Sequence, residues 1–361
     1  MESQLTSMDQ VHLGRALELA ERGRGRVSPN PLVGAVVVRD GEVIGEGFHA
    51  ELGGLHAERA ALEDCRRRSE DPGGATMYVT LEPCAHQGRQ PPCVEAILEA
   101  GIGRVVIASD DPSEKASGRG PGILRDGGVD VLFAAGAEAT AARRLNQPFR
   151  KHARTGLPLV VLKMAMSLDG QTQTAPGDSP WISGPESREL VHLWRSESDA
   201  IAVGIGTVLA DDPLLTARND GARQPKRVVF DRQARLPLDR QLLQTLDHSP
   251  VLLVTAPDAP SDRVTALQSA GAETIVATDV ESALRELGRR EVTSLFLEGG
   301  RTLATAFAAA DQVDECRTFF APMLIGGSEK GGVAAERLVA LDSSVEQVGD
   351  DVLVKARFKE W

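Results

Sequence analysis

Aromatic side chains are scarce in this chain: 9 Phe, 3 Trp and 1 Tyr among 361 residues. Stacking platforms for single-stranded nucleic acid need more of them, and clustered. Positive charge is also in deficit. Lys and Arg total 40 against 52 Asp and Glu, a formal charge of −12. Such a chain is a poor partner for polyphosphate nucleic acid or an anionic membrane surface. No apolar run approaches the ~18 residues of a membrane span. Leu157–Met166 is broken by Lys163, and Ala200–Ala210 by glycines. Met1–Asp9 lacks the basic-then-apolar layout of a signal peptide. The expectation is a cytoplasmic protein with no nucleic-acid and no membrane partner. Cysteine is rare too: Cys65, Cys84, Cys93 and Cys316. That is too few for a disulfide scaffold, so these residues are expected to be buried, catalytic or metal-bound.

What is present is alternation of apolar strands and amphipathic helices. The pattern predicts a helix over Gln10–Arg22, then strands Val33–Val38 and Val43–Phe48 joined at Asp40-Gly41, a hairpin signal. A helix His56–Arg68, a strand Thr76–Leu81 and a helix Pro91–Ala100 follow, the last opening on prolines and closing at Gly101. Strands Arg104–Ser109 and Val129–Ala134 flank Gly118–Gly127, and Ala137–His152 reads as one helix. This is an α/β pattern of three layers. Basic residues, Gly156 and Pro158 mark a seam, which places domains at residues 1–150 and 151–361. The second half alternates again, from Leu159–Met164 through Ser294–Leu297, and ends on two strands, Glu315–Pro322 and Asp351–Phe358, expected to be antiparallel.

The first chemical signal is His56-Ala57-Glu58, followed by Pro83-Cys84 and Pro92-Cys93. One imidazole and two thiols are the ligand set of a catalytic zinc that leaves its fourth position to water. The metal lowers the pKa of that water to about 7. Glu58, two residues past the histidine, is placed to accept the proton and pass it to a leaving amine. H-x-E followed by P-C-x-x-C is the signature of zinc deaminases. Here the cysteines stand nine positions apart, so the intervening loop must fold to bring both thiols to one metal. His86 in that loop is either a fourth ligand, which would make the site structural, or a contact to the substrate or to one of the ligands. His49 is a surface residue or a pocket wall. Cys65 reads as an unremarkable helix residue and Cys316 as a buried strand residue.

The stretch Thr80-Leu81-Glu82-Pro83-Cys84-Ala85-His86-Gln87-Gly88-Arg89, with Pro91-Pro92-Cys93, closely resembles the bifunctional riboflavin-biosynthesis deaminase/reductase family. Asn30-Pro31-Leu32-Val33-Gly34 and Asp111-Pro112 resemble it as well. So do Ser167-Leu168-Asp169-Gly170, Trp181-Ile182-Ser183-Gly184, Gly204-Ile205-Gly206-Thr207, Asp211-Asp212-Pro213-Leu214-Leu215-Thr216 and Glu298-Gly299-Gly300. The resemblance implies a cytidine-deaminase-like N-terminal domain with one zinc ion. It also implies a dihydrofolate-reductase-like C-terminal domain that uses NADPH. The implied substrate is a small phosphorylated pyrimidine, 2,5-diamino-6-(5-phospho-ribosylamino)pyrimidin-4-one. It is deaminated first, and its ribosyl group is then reduced to ribityl. A homo-oligomer is implied too. Ala85, Gln90 and Ser113 stand where the family usually has Ser, Thr and Asn.

The second half has no G-x-G-x-x-G and no P-loop. It has Glu298-Gly299-Gly300-Arg301 between a strand and a helix, where backbone N–H groups meet a phosphate or where the chain simply turns. By matching motif positions, Ala165, Trp181, Thr207, Asp211 and the segment opening Gly300, Arg301 and Thr302 resemble NADP contacts. Ser179, Arg195, Leu215, Arg218 and Glu298 resemble substrate contacts. Arg195 and Arg218 offer planar, permanently charged forks for the substrate's phosphate. Lys163 lies in an apolar strand, costly unless paired or functional, so it is either a contact to substrate or nicotinamide, or an edge residue reaching solvent. Asp169 is a turn residue or a site residue. Competing readings are a nucleoside or nucleobase deaminase, a deaminase with a non-catalytic nucleotide-binding half, and a purely structural zinc protein.

Overall fold

A computed structural model describes residues 5–87, 90–113, 118–173, 181–219, 221–326, 333 and 337–361. Packing divides the chain into two compact units, Met1–Thr155 with Trp361, and Gly156–Glu360.

The first unit runs α1 (Ser7–Glu21), β1 (Gly34–Arg39), β2 (Glu42–Phe48), α2 (Ala57–Arg67), β3 (Thr76–Val79), α3 (Cys93–Glu99), β4 (Arg104–Ile107), α4 (Arg119–Asp126), β5 (Asp130–Phe133), α5 (Ala137–Leu145) and α6 (Gln147–Thr155). Its five-stranded sheet has the order β2-β1-β3-β4-β5. β1 is antiparallel to β2 and β3, whereas β3, β4 and β5 are parallel. Asp40 and Gly41 both take positive φ, 52° and 83°, as the tight hairpin turn requires. One face of the sheet packs Ala57, Ala61, Cys65, Ile97 and Leu124 against Val37, Met77 and Val105. The other packs Leu13, Ala16 and Leu19 of α1 against Val36, Tyr78 and Val106. Gly47 is required because a Cβ there would run into the α2 backbone at Ala61. This close approach lays the start of α2 against the sheet and aims it at the β3–α3 loop.

The expected single helix over 137–152 is two. α5 ends at Leu145, Asn146 leaves helical geometry, and α6 starts at Gln147. Pro148 explains the break, since its ring clashes with the carbonyl four residues back. The Asn146 amide fills the gap, accepting from Leu32 N–H at 2.8 Å and donating to Leu32 O at 2.9 Å. α6 then continues to Thr155, so the seam between units falls at Thr155/Gly156.

The second unit runs β6 (Leu159–Ser167), α7 (Pro185–Glu197), β7 (Ala200–Gly204), α8 (Ile205–Asp211), β8 (Lys226–Phe230), α9 (Gln241–Gln244), β9 (Val251–Thr255), α10 (Ser261–Ser269), β10 (Glu273–Val276), α11 (Val280–Arg289), β11 (Ser294–Leu297), α12 (Arg301–Ala309), β12 (Glu315–Ala321), β13 (Asp342–Val348) and β14 (Asp351–Arg357). The sheet order is β10-β9-β8-β7-β11-β6-β12-β14-β13. It is parallel from β10 through β12, and β14 and β13 add antiparallel pairs. β12 is thus antiparallel to β14, as expected, and parallel to β6. The chain leaves β6, builds β7 to β10 outward, and returns to insert β11 beside β6. Ligands of such sheets bind beyond the strand C-termini where the order reverses, here at the ends of β6, β11 and β7.

Candidate active sites

His56 is the N-cap of α2, in extended conformation. Cys93 is the first residue of α3. Cys84 lies on the loop after β3. His56 Nδ1 is 3.3 Å from Cys93 Sγ and 3.6 Å from Cys84 Sγ, and the three ligand atoms lie within 4.8 Å of one another. Tetrahedral zinc with ordinary Zn–S and Zn–N bonds sets sulfur and nitrogen about 3.5 Å apart. The donor set therefore fits that ion. His86 stands outside the cluster. The Cys93 N–H donates to Cys84 O at 3.0 Å and to Cys84 Sγ at 3.4 Å, which closes the long loop.

Burial pushes the Glu58 carboxyl up to about 7, and the charge of Cys84 adds to the shift. Glu58 is 3% exposed, in the first turn of α2. A hydrogen bond from the Cys93 thiol draws Cys84 down to about 4 against the effect of burial, with His56 helping. The same bond pushes the Cys93 thiol up, and the bond to Cys84 raises His56. A cation entering this cluster must displace protons, so its affinity rises with pH.

His49 is a buried wall rather than a surface residue. Its ring meets His56 edge-on at 5.4 Å. Nδ1 donates to Leu55 O at 2.9 Å, and Nε2 accepts from the Asn30 amide at 3.1 Å, which leaves a neutral tautomer. Burial lowers its pKa accordingly. Asp111 is buried, and Ser113 N–H donates to it at 2.8 Å. The buried Arg150 secures the preceding turn, donating to Ser109 Oγ at 3.1 Å and Asp110 O at 2.8 Å. Cys65 is buried in the core and Cys316 half-buried in β12; both are free. Sequence reasoning missed Arg150 and Arg59. Arg59 follows Glu58 and bonds the carbonyls of Pro91 and Pro92 at 3.3 Å and 2.9 Å. Nothing local in sequence marks either residue.

In the second unit, register sets Leu297 of β11 beside Leu162 of β6, so Glu298 follows on the same side as Lys163. β6 is flanked by β11 and β12, so Lys163 is no edge residue. Burial pulls its ammonium down, while Glu298 pushes it back up. Arg195 of α7 grips Glu298 with both arms, Nε to Oε1 at 2.6 Å and Nη2 to Oε2 at 2.9 Å. Its Nη1 donates to Thr216 O at 3.1 Å. The fork expected to be open to phosphate is therefore occupied by Glu298. Burial alone would raise the Glu298 carboxyl, but Arg195 and then Lys163 outweigh it and hold it below its ordinary value.

Leu215 is buried at φ 54°, a strained conformation for a residue with Cβ. The turn is pinned by Arg195 and by His192, whose Nδ1 lies 3.2 Å from Thr216 O. His192, another residue the sequence did not flag, is lowered by burial and then by the charges of Arg195 and Arg218. Arg218 is exposed. Gly300 caps α12 in extended conformation with no side-chain cap, no acidic residue in the first turn, and Thr207 of α8 alongside. A helix N-terminus of this make-up, without an acidic side chain in its first turn, suits a phosphate. Arg301 and Thr302 are exposed in that first turn, and Asp211 is exposed at the end of α8. Ala165 lies on β6 two residues past Lys163. Trp181 is 60% exposed, with the Arg188 guanidinium 5.0 Å from its ring centre. Ser179 lies outside the described residues. Asp169 is a turn residue: it accepts from Ser167 Oγ at 2.5 Å, Ile325 N–H at 3.1 Å and Gly326 N–H at 2.7 Å.

The His-Cys-Cys donor set around a buried carboxylate defines a class: a zinc-dependent deaminase domain, carried here with a second α/β domain suited to a nucleotide cofactor. Family models match both halves. Residues 6–109 match the cytidine and deoxycytidylate deaminase zinc-binding region, and residues 158–354 match the RibD C-terminal domain. The riboflavin biosynthesis protein RibD of Actinobacillus pleuropneumoniae is 39% identical over 97% of this chain and 95% of its own. That of Escherichia coli is 40% identical over 90% of each. The solved RibD of Acinetobacter baumannii superposes with a TM-score of 0.87 at 36% identity, covering 98% of this chain and 99% of its own. A diaminohydroxyphosphoribosylaminopyrimidine deaminase/5-amino-6-(5-phosphoribosylamino)uracil reductase from Thermotoga maritima gives 0.85 at 36% identity, with the same coverage. The chain belongs to the RibD family, the bifunctional deaminase/reductases of riboflavin biosynthesis. Its fold pairs a cytidine-deaminase-like domain with the family's reductase domain, and its cofactors are zinc and NADPH. No described helix is long and apolar enough to cross a membrane.

Proposed function

We propose that His56, Cys84 and Cys93 hold the zinc ion and that Glu58 is the proton carrier of the deaminase step. The observation that carries this is one buried carboxylate beside a three-donor cluster of zinc dimensions. A zinc held there supplies a water acidic enough to attack near neutral pH. Glu58 takes a proton from the attacking water and hands it to the departing amine, and a group poised near 7 does both. His49, edge-on to His56, would stand beside the bound pyrimidine. The substrate we infer is 2,5-diamino-6-(5-phospho-ribosylamino)pyrimidin-4-one, a small phosphorylated pyrimidine rather than a nucleic acid.

For the reductase step we infer that NADPH supplies the hydride. The N–H groups at Gly300, Arg301 and Thr302 receive a cofactor phosphate, with Thr207, Asp211, Trp181 and Ala165 beside it. Arg218 receives the substrate's 5-phosphate, since Arg195 is already engaged by Glu298. Arg195 instead holds Glu298 and the Leu215 turn in place, and Lys163 faces the reacting sugar. The unit that ends at Thr155 would carry the first step and the unit that starts at Gly156 the second. Paired, unbridged thiols in the zinc cluster fit a reducing, cytoplasmic compartment. Exposed Val339, Leu341 and Val345, at and beside edge strand β13, support a homo-oligomer.

The test is a two-step assay on purified protein. The diaminopyrimidine substrate should release ammonia without NADPH, and NADPH should be oxidised only after deamination. Ammonia release with no later NADPH oxidation would leave only the deaminase with a nucleotide-binding half. Turnover of free cytidine at a matching rate would favour a nucleoside deaminase.

A further inference from the structure

The nine-position separation of Cys84 and Cys93 poses a mechanical problem. The near end of the loop is closed by the Cys93 N–H on Cys84 O and Sγ. The approach to Cys93 runs through Pro91 and Pro92, which have no N–H to donate. Only their carbonyls are available to anchor this stretch. Arg59 takes both with one guanidinium: Nε donates to Pro91 O at 3.3 Å and Nη2 to Pro92 O at 2.9 Å. One residue earlier, the Gln90 amide donates to Gly53 O at 3.1 Å. Gly53 precedes His56 on the chain segment that leads into α2. The first turn of α2 thus presents His56, Glu58 and Arg59 together.

We propose that Arg59 is a positioning residue of the zinc site, holding Pro91 and Pro92 so that the Cys93 thiol stays within reach of the metal, with Gln90 fastening the same loop to the segment before His56. The proposal rests on the reading of His56, Cys84 and Cys93 as ligands. A planar fork is required because two carbonyls on successive residues are held at once, which a lysine ammonium does less well. Groups that orient ligands typically govern metal affinity by 10–100-fold. Arg59 acts on the backbone next to a ligand, so the lower end of that range applies.

The experiment uses full-length Arg59→Met, which keeps the apolar stem and removes the donors, and Arg59→Lys. Zinc release into a chromophoric chelator is followed in time, and the thermal midpoint of each zinc-stripped protein is recorded. The expected result is release about tenfold faster in the Met variant, an intermediate rate in the Lys variant, and stripped proteins that melt together. Release at the wild-type rate from the Met variant overturns the proposal. So does a stripped Met variant that melts as far below stripped wild type as the loaded forms differ, since the loss would then be one of general stability. Wild-type protein that takes up no zinc overturns the ligand reading itself, and that result needs no variant.

Discussion

Glu58 owes its acid–base character to its position rather than its chemistry. A carboxylate in the first turn of a helix ordinarily gains from the helix dipole. Here complete burial and the neighbouring thiolate of Cys84 dominate, and its pKa climbs to about 7. Glu58→Gln keeps the shape and the burial but cannot carry a proton. It should retain one zinc per chain by elemental analysis while ammonia release falls by at least about 10²-fold. Full activity in that variant would remove Glu58 from the mechanism. Single residues also mark the limit of reading by motif. His56, Glu58, Cys84 and Cys93 are legible because their residue types and order carry the chemistry. The pairing of Arg195 with Glu298 is not, because the partners are 103 positions apart and an arginine looks the same free or engaged. Arg59, whose carbonyl partners lie 32 and 33 positions downstream, is hidden for the same reason.

Elements show how local signals and tertiary contacts divide the work. α1 begins at a capping box in which Thr6 and Asp9 exchange hydrogen bonds, and the same Asp9 ties the helix to the sheet. It accepts from Tyr78 Oη at 2.8 Å and Arg104 Nη1 at 2.9 Å while only 1% exposed. Burial alone would raise its pKa, but Arg104, Thr6 and Tyr78 together lower it from 3.8 to about 2. The folded value lies below the unfolded one. The stabilisation is therefore complete above pH ~5 and is lost as pH falls through 3.8 toward 2. Asp9→Asn should cost about 2 kcal/mol at pH 7, and the gap to wild type should close near pH 2. Urea titrations at the two pH values test this, and a gap that persists undiminished in acid would contradict it. The alternating strands and helices were legible from periodicity. The break between α5 and α6 was signalled by Pro148, although the apolar pattern runs across it. β13 gave no period-two signal, because it is an edge strand exposed along most of its length. α8, seven residues opening at Gly204, is too short to show a helical period.

At the scale of the whole molecule, the net charge of −12 coexists with sites proposed to take phosphorylated ligands, because a pocket's potential is set by its nearest groups. Each compact unit has its own core, one around Met77, Ile97 and Val105 and the other around Leu162, Leu295 and Phe307. Removing zinc should therefore act on one unit only. A chelator should lower the thermal transition of the first unit by the lost binding free energy, about 4 kcal/mol for an ion present at 1,000 times its Kd. The second transition should stay in place, and NADPH oxidation with the already deaminated substrate should continue. Calorimetry and absorbance at the cofactor band check both, and an equal fall of the two transitions would count against independent units.

The sequence alone determined the two-part α/β organisation, the zinc-type donor set with its carboxylate, and the family resemblance. All of these rest on residue type, order and short-range period. Only the tertiary structure decided that His49 is buried behind His56, that Asp169 serves a turn, that the Arg195 fork is taken by Glu298, and that Arg59 anchors two prolines beside Cys93. These depend on which distant groups share a dielectric and a hydrogen bond, and that is settled only when the chain packs.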